Sequence, residues 1–200
     1  WLTPPRAALT FSLLLRPDVD PRRWPLLPLL TGLAVTEGIA AAGGPPTSLK
    51  WPNDVLGPDG LKIAGLLLER VDTAQAAAAV VGVGLNVSTT RAELPVETAG
   101  SLVTAGMTAP DRTVLLRSVL EAFARRYEQW RSGDGAGAGD EERDSSLLAT
   151  YADHCDTLGQ EVLVHLPGER TLRGRGWCRC CILLRRGLPA TFSRARTCSS

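Results

Sequence analysis

SLKWPNDVLGPDGLKIAGLLLER, residues 48–70, holds both lysines of the chain, Lys50 and Lys62, among 22 basic residues. The same stretch carries the clearest fold signal. Residues 48–51 and 54–56 read as short strands and 61–70 as a longer one. Gly57-Pro58-Asp59-Gly60 is turn chemistry, because proline pre-sets one dihedral and glycine accepts a positive φ. A hairpin of 54–56 with 61–70 is the expectation.

Outward from this hairpin the pattern alternates between sheet and helix. Upstream, ALTFSLLL (8–15) is a largely buried strand stopped by Arg16-Pro17. Leu26, Leu29, Leu30, Leu33, Ile39 and Ala40 recur near helical spacing, predicting a helix over 26–42 that ends at Gly43-Gly44-Pro45-Pro46. Downstream, the Val content and length of 76–87 favour a central strand, punctuated by Gly82 and Gly84. Val114, Leu115, Val119, Leu120, Phe123 and Tyr127 predict an amphipathic helix over 111–131, with Asp111 as N-cap. Residues 132–144 (SGDGAGAGDEERD) read as a flexible acidic linker, 145–155 as a short helix, and 159–174 as a hairpin turning at Pro167-Gly168. That order is α+β rather than a regular βαβ alternation. The domain reading is a main domain over 1–131, the linker over 132–144, a final helix with the start of a small β domain over 145–172, and a divergent tail over 173–200.

Composition bounds the function. Two hundred residues, 44% of them apolar and 22% charged, make one ordinary domain with a small appendage. A net charge of +1 gives no bulk attraction to nucleic acid or membrane. Apolar runs such as Leu13 to Leu15 and Leu66 to Leu68 are far short of a membrane span. No export signal opens the chain, so a cytoplasmic enzyme or binding protein is expected, and Trp1 in first position implies sequence upstream. Arginine richness is the mark of GC-rich coding, which makes a retained lysine the informative cation: its compact ammonium does work that a planar guanidinium cannot. Four of the five cysteines follow residue 177, and 173–200 holds seven arginines but no Asp, Glu or Lys. The Cys178-Arg179-Cys180-Cys181 spacing fits no usual zinc pattern. The abrupt change marks a divergent or frame-shifted tail that should be protease-sensitive.

Lys50, Trp51, Asn53, Asp54 and Lys62 together suit a small anionic ligand with an apolar body. A carboxylate or phosphate about 4 Å from a lysine returns roughly 4 kcal/mol at an effective dielectric near 20. Gly65 lets a ligand or another chain approach the backbone, and Trp51 offers a flat wall. The plain alternatives are an ordinary turn at Pro52-Asn53-Asp54, a solvated Lys62, and close strand packing at Gly82 and Gly84.

LKWPNDV (49–55), KIAGLLLE (62–69) and VGVGLNV (81–87) resemble, in order and spacing, three blocks of the biotin–protein ligase catalytic domain. WLTPPRAALTFSLLLRP (1–17) is similar to the family's W-x-S-P-x-G-x-L-x-x-S segment, and the resemblance covers roughly residues 1–166. It implies a mixed central β-sheet packed with helices, of the class II aminoacyl-tRNA synthetase and biotin ligase kind, followed by a partial SH3-like β segment. It implies ATP-dependent activation of biotin to biotinyl-5′-AMP, with Mg²⁺, and transfer to a lysine of a biotin carboxyl carrier protein. By resemblance Lys62 holds the biotin carboxylate and forming acyl phosphate, while Gly65 and Leu66 line the biotin pocket through their backbone and Trp51 walls it. Asn86 reads the adenine edge, Lys50 and Asn53 contact phosphates, and Asp54 orients or deprotonates the carrier lysine. The family's G-R-G-R-x-G-R loop would lie before Trp1; its absence from the chain implies reduced activity. No DNA-binding helix-turn-helix is recognisable, and a homodimer is expected from the family's sheet. A lipoate ligase or transferase and a non-catalytic biotin-binding module are the alternative readings.

Overall fold

A computed structural model describes residues 3–74, 76–108, 110–132, 140–166, 170–175 and 191–194. Five strands, β1 (Ala8–Leu15), β2 (Ser48–Lys50), β3 (Asp54–Leu56), β4 (Lys62–Asp72) and β5 (Ala77–Asn86), form one sheet in the order β1-β5-β4-β3-β2. Every pair of these strands is antiparallel, where a mixed sheet was expected; parallel pairing among the described residues is limited to two isolated bridges, Leu49 with Cys155 and Lys62 with Ala99. Consecutive strands here return through short connections, which is what antiparallel pairing permits. The hairpin turns where the Pro-Asp-Gly chemistry placed it, with Gly60 at φ 75°. Arg6 also has a left-handed backbone, φ 65°, and stands at the glycine position of the W-x-S-P-x-G pattern; that conformation is the reason the pattern asks for glycine.

Alternation along the strands divides the sheet into two faces. Leu66 of β4 and Val81, Val83 and Leu85 of β5 are buried, while Leu14, Leu67 and Val71 are exposed on the opposite face. Helix α1 (Leu27–Ala41) covers the first face, with Gly32 directly over Leu49 and Leu66. Leu27, Leu30, Leu33, Ala34, Val35 and Ile39 on α1 are all fully buried, so this helix is apolar around its whole circumference. By length and composition Pro21–Ala41 could cross a bilayer, contrary to the expectation from the short runs; 72% of its apolar window is buried inside the protein, as in a core helix.

Helix α2 (Arg112–Ser132) packs on the outer side of α1. Asp111 caps it, accepting from the N–H groups of Thr113 and Val114. The two helices meet at Gly38: a Cβ there would lie 2.5 Å from Val119 Cα and 2.7 Å from its nitrogen. Backbone cannot retreat as a side-chain tip can. Gly38→Ala should therefore destabilise despite alanine's better helix propensity, by about 1–3 kcal/mol, lowering Tm by roughly 2–10 °C. A thermal midpoint equal to or above wild type would refute this contact. Beside the glycine, Glu37 accepts from Arg125 and Arg126. Burial pushes the Glu37 carboxyl up, but the two guanidiniums outweigh it and hold it below its ordinary 4.5.

Helix α3 (Asp140–Asp153) starts earlier than expected, within the stretch read as linker. Two causes act. Asp140, Glu141 and Glu142 fill its first turn, where carboxylates favour the helix N-terminus. Arg23, far upstream and only 7% exposed, then binds Asp140 (2.7 Å) and Asp144 (2.8 Å). Beyond α3, β6 (Glu161–Leu166), β7 (Arg170–Arg175) and β8 (Thr191–Arg194) make a three-stranded antiparallel sheet, order β7-β6-β8. The resemblance implies a partial SH3-like β segment, and here the described residues show these three strands alone. Within the expected tail, Arg173 to Arg175 continue β7 and Thr191–Arg194 pairs with β6. Residues 176–190 and 195–200, with their cysteines, lie outside the described residues.

Candidate active site

The strand registers place one row of residues across all five strands. Lys50 pairs with Asp54, Asp54 with Gly65, Gly65 with Gly84, and Gly84 with Thr10. Directly paired residues share a face, so two glycines and a threonine make a low floor beside a Lys–Asp pair. The next row is Leu67, Gly82 and Ser12. At Gly82 an added Cβ would meet nothing closer than 3.8 Å, so close packing does not account for that glycine. Thr10 and Ser12 were missed by sequence reading, although their small polar side chains at alternate positions of an apolar strand were the available signal.

Lys62 reaches this floor through a bulge. Lys62 and Gly65 are three residues apart and would face opposite ways on a regular strand. The register shifts between Val55 and Leu56, so that Val55 pairs with Ala64 but Leu56 with Lys62. The extra residue is Ile63, buried like its neighbour Ala64. It turns Lys62 onto the Asp54 face, where Nζ lies 2.6 Å from Asp54 Oδ1. The side chains are 37% and 17% exposed, so the ion pair is half open to a ligand. Asp54, expected to serve an incoming amine, therefore meets Lys62 first. The main chain of Lys62 is held from its other side, its N–H donating to Thr98 O (2.9 Å) and its carbonyl accepting from Gly100 N (2.8 Å).

Three expected ligand contacts are engaged within the chain. Asn53 Nδ2 donates to Leu66 O (2.7 Å), and Leu66 N–H donates to Asn53 O (2.9 Å). Leu66 thus has its backbone hydrogen-bonded to Asn53, and its side chain lies under Gly32 of α1, supporting the site from beneath. Asn86 is buried and donates from Nδ2 to Gly100 O (2.8 Å), tying down the segment that braces Lys62. Each amide uses one of its two N–H donors to shape the floor.

Trp51 follows β2 and is half-buried against the core. Tyr151 of α3 is 4% exposed, and its phenol is pushed well above its ordinary 10 by burial first, then by Cys155 and the Asp54 charge. Glu69 is exposed on β4 opposite Val80. A cavity of about 560 Å³ lies elsewhere, between the end of α1, the 105–108 turn and the start of α2. The row is a sheet surface and contributes nothing to that cavity. Among the described residues no group of three His, Cys, Asp or Glu is placed to hold a metal ion. A protein-built metal cage does not fit this site, whereas a Mg²⁺ arriving on nucleotide phosphates needs few protein ligands.

A floor of glycines with a bulge-turned lysine is a sheet surface whose shape and charge suit a small anionic ligand. Residues 1–86 match the Biotin/lipoate A/B protein ligase family. The chain is 36% identical over 178 residues to the biotin--[acetyl-CoA-carboxylase] ligase of Mycobacterium tuberculosis, covering 87% of this chain and 61% of that protein. It is 34% identical over 134 residues to the bifunctional ligase/repressor BirA of Bacillus subtilis, covering 65% of this chain and 41% of that protein. The chain therefore spans less than two thirds of the length of either relative. Among solved structures, biotin protein ligase from Aquifex aeolicus superposes with a TM-score of 0.70 at 25% identity, covering 94% of this chain and 83% of that one. The same enzyme in complex with biotin and ATP gives 0.65 at 28% identity, covering 94% and 78%. Over residues 1–86 the chain is thus similar to the biotin/lipoate A/B protein ligase family. Of the proteins named here, those of Mycobacterium tuberculosis and Aquifex aeolicus carry the name of a biotin ligase.

Proposed function

We propose that the chain is the catalytic part of a biotin–protein ligase, which joins biotin to ATP as biotinyl-5′-AMP and passes the biotinyl group to a lysine of a biotin carboxyl carrier domain. The observation that carries this reading is the Lys50–Asp54–Gly65–Gly84–Thr10 row with Lys62 turned onto it. Glycines admit a flat apolar ligand against the backbone, Trp51 walls one end, and Lys62 meets its carboxylate. In the first step a biotin carboxylate oxygen bonds to the α-phosphorus as pyrophosphate leaves. Lys62 offsets the negative charge that gathers there, and Lys50 lies on the same row to share it. In the second step the carrier amine attacks the activated carbonyl, AMP leaves, and the amine's proton passes to a carboxylate. Asp54 is the carboxylate on the row and takes that role once Lys62 has turned to the ligand. Mg²⁺ would enter with ATP and screen its phosphates. Use of ATP fits a cytoplasmic setting, and a homodimer is part of the same reading.

The test uses the full chain. Calorimetry should show biotin binding far tighter than lipoate. Labelled pyrophosphate should exchange into ATP only when biotin is present, and labelled biotin should reach a carrier domain. Preference for lipoate would move the chain to the other branch of the family; biotin binding without exchange would make it a binding module.

A further inference from the structure

The edge of the sheet at β2 is closed by a segment that the function above leaves unused. After α3, residues 154–157 run beside β2 as a one-bridge strand. Leu49 N–H donates to His154 O (2.8 Å), Asp156 N–H donates to Leu49 O (2.8 Å), and Leu49 pairs in parallel with Cys155. Ser48 Oγ and Asp156 Oδ2 add an exposed contact of 2.7 Å. The segment ends at Thr157, which is 7% exposed, and its Oγ1 accepts from Trp51 N–H at 3.0 Å. Trp51 lies between Lys50 and the Asn53–Leu66 pair, so this hydroxyl fixes the backbone from which the site's wall and one of its two lysines project.

From this contact we infer that Thr157 is a positioning residue for biotin recognition, acting through Trp51. The inference rests on the function proposed above. Without Oγ1 the half-buried Trp51 amide would lose this acceptor, and a buried hydrogen bond would go with it. The turn would then relax toward water, shifting the backbone from which Trp51 and Lys50 project. Thr157 itself touches no substrate on this reading, so ligand affinity should suffer more than the chemical step.

Thr157→Val keeps the shape and removes the acceptor; Thr157→Ser keeps the acceptor. In the full chain Thr157→Val should raise the KM for biotin and its calorimetric Kd about tenfold, the scale of one unpaired buried donor, with kcat within about threefold of wild type. Amide hydrogen exchange over residues 49–53 should quicken in the same variant. Thr157→Ser should restore affinity and exchange to within about twofold of wild type. Ser48→Ala, which loosens the same segment away from Trp51, should leave biotin affinity unchanged. Faster exchange with unchanged biotin affinity would make the contact merely structural and overturn the inference, as would equal losses in Ser48→Ala or no rescue by serine. If wild type itself bound no biotin, the proposed function would fall first and this inference with it. A normal wild type with a normal Thr157→Val would sink the inference alone.

Discussion

Lys62→Ala should weaken biotin binding by about 10²-fold or more while leaving the fold intact, and Lys62→Arg should recover little of it. The size follows from removing one side of a desolvated charge pair, a loss of about 2–5 kcal/mol. Stability should hardly change, because the Lys62–Asp54 pair is half open to water and such pairs contribute about 0–1 kcal/mol. Arginine keeps the charge but not the geometry. Lys62 leaves the strand at a bulge, with its main chain held by Thr98 and Gly100, and an ammonium just reaches Asp54 at 2.6 Å. A longer, planar fork from the same point must overshoot or tilt. Calorimetry with biotin, paired with thermal unfolding of each variant, separates the two effects. Unchanged affinity in a folded Lys62→Ala protein would remove Lys62 from the site.

The second large effect is expected at a distance from the chemistry. Arg23 Nε donates to both Asp144 oxygens (3.0 and 3.1 Å), Nη1 to Asp140 (2.7 Å) and Nη2 to the carbonyl of Trp130 (2.9 Å). Its guanidinium also lies 4.9 Å from the centre of the Trp130 ring, whose Nε1 donates to Asp144 (3.1 Å). One arginine thus fastens the end of α2 and the start of α3 to the residues before α1. Breaking a buried pair costs about 3–5 kcal/mol, and the lower end applies because Asp140 is 54% exposed. Arg23→Ala should therefore lose about 3 kcal/mol and lower Tm by roughly 6–12 °C. Since α3 leads directly into residues 154–157, hydrogen exchange there should rise first. Arg23→Lys should rescue poorly, because an ammonium cannot serve two carboxylates and a carbonyl from one planar fork. A midpoint within 2 °C of wild type for Arg23→Ala would show that α3 is held by its apolar residues, Leu147 and Tyr151, alone.

The sequence by itself determined which residues form which elements over residues 1–132. β1, α1, the hairpin around Gly57–Gly60, β5 and α2 lie where periodicity and turn residues placed them, because those preferences are local: φ limits at Pro and Gly, and a period of 2 or 3.6. It also determined which cations matter, since an arginine-rich chain that keeps two lysines advertises them. Tertiary structure decided the rest. The bulge at Ile63 put Lys62 on the face of Asp54 and Gly65, and strand register, a relation between distant segments, assembled the five-residue row. Arg23 made helix of residues 140–144, whose acidic, glycine-flanked sequence reads as linker when its partner more than a hundred positions upstream is out of view. Asn53, Leu66 and Asn86 likewise carry hydrogen-bonding groups that show no internal partner in sequence. In the fold those groups bind one another and Gly100, because a buried donor takes the nearest acceptor, and only three-dimensional placement says which acceptor that is.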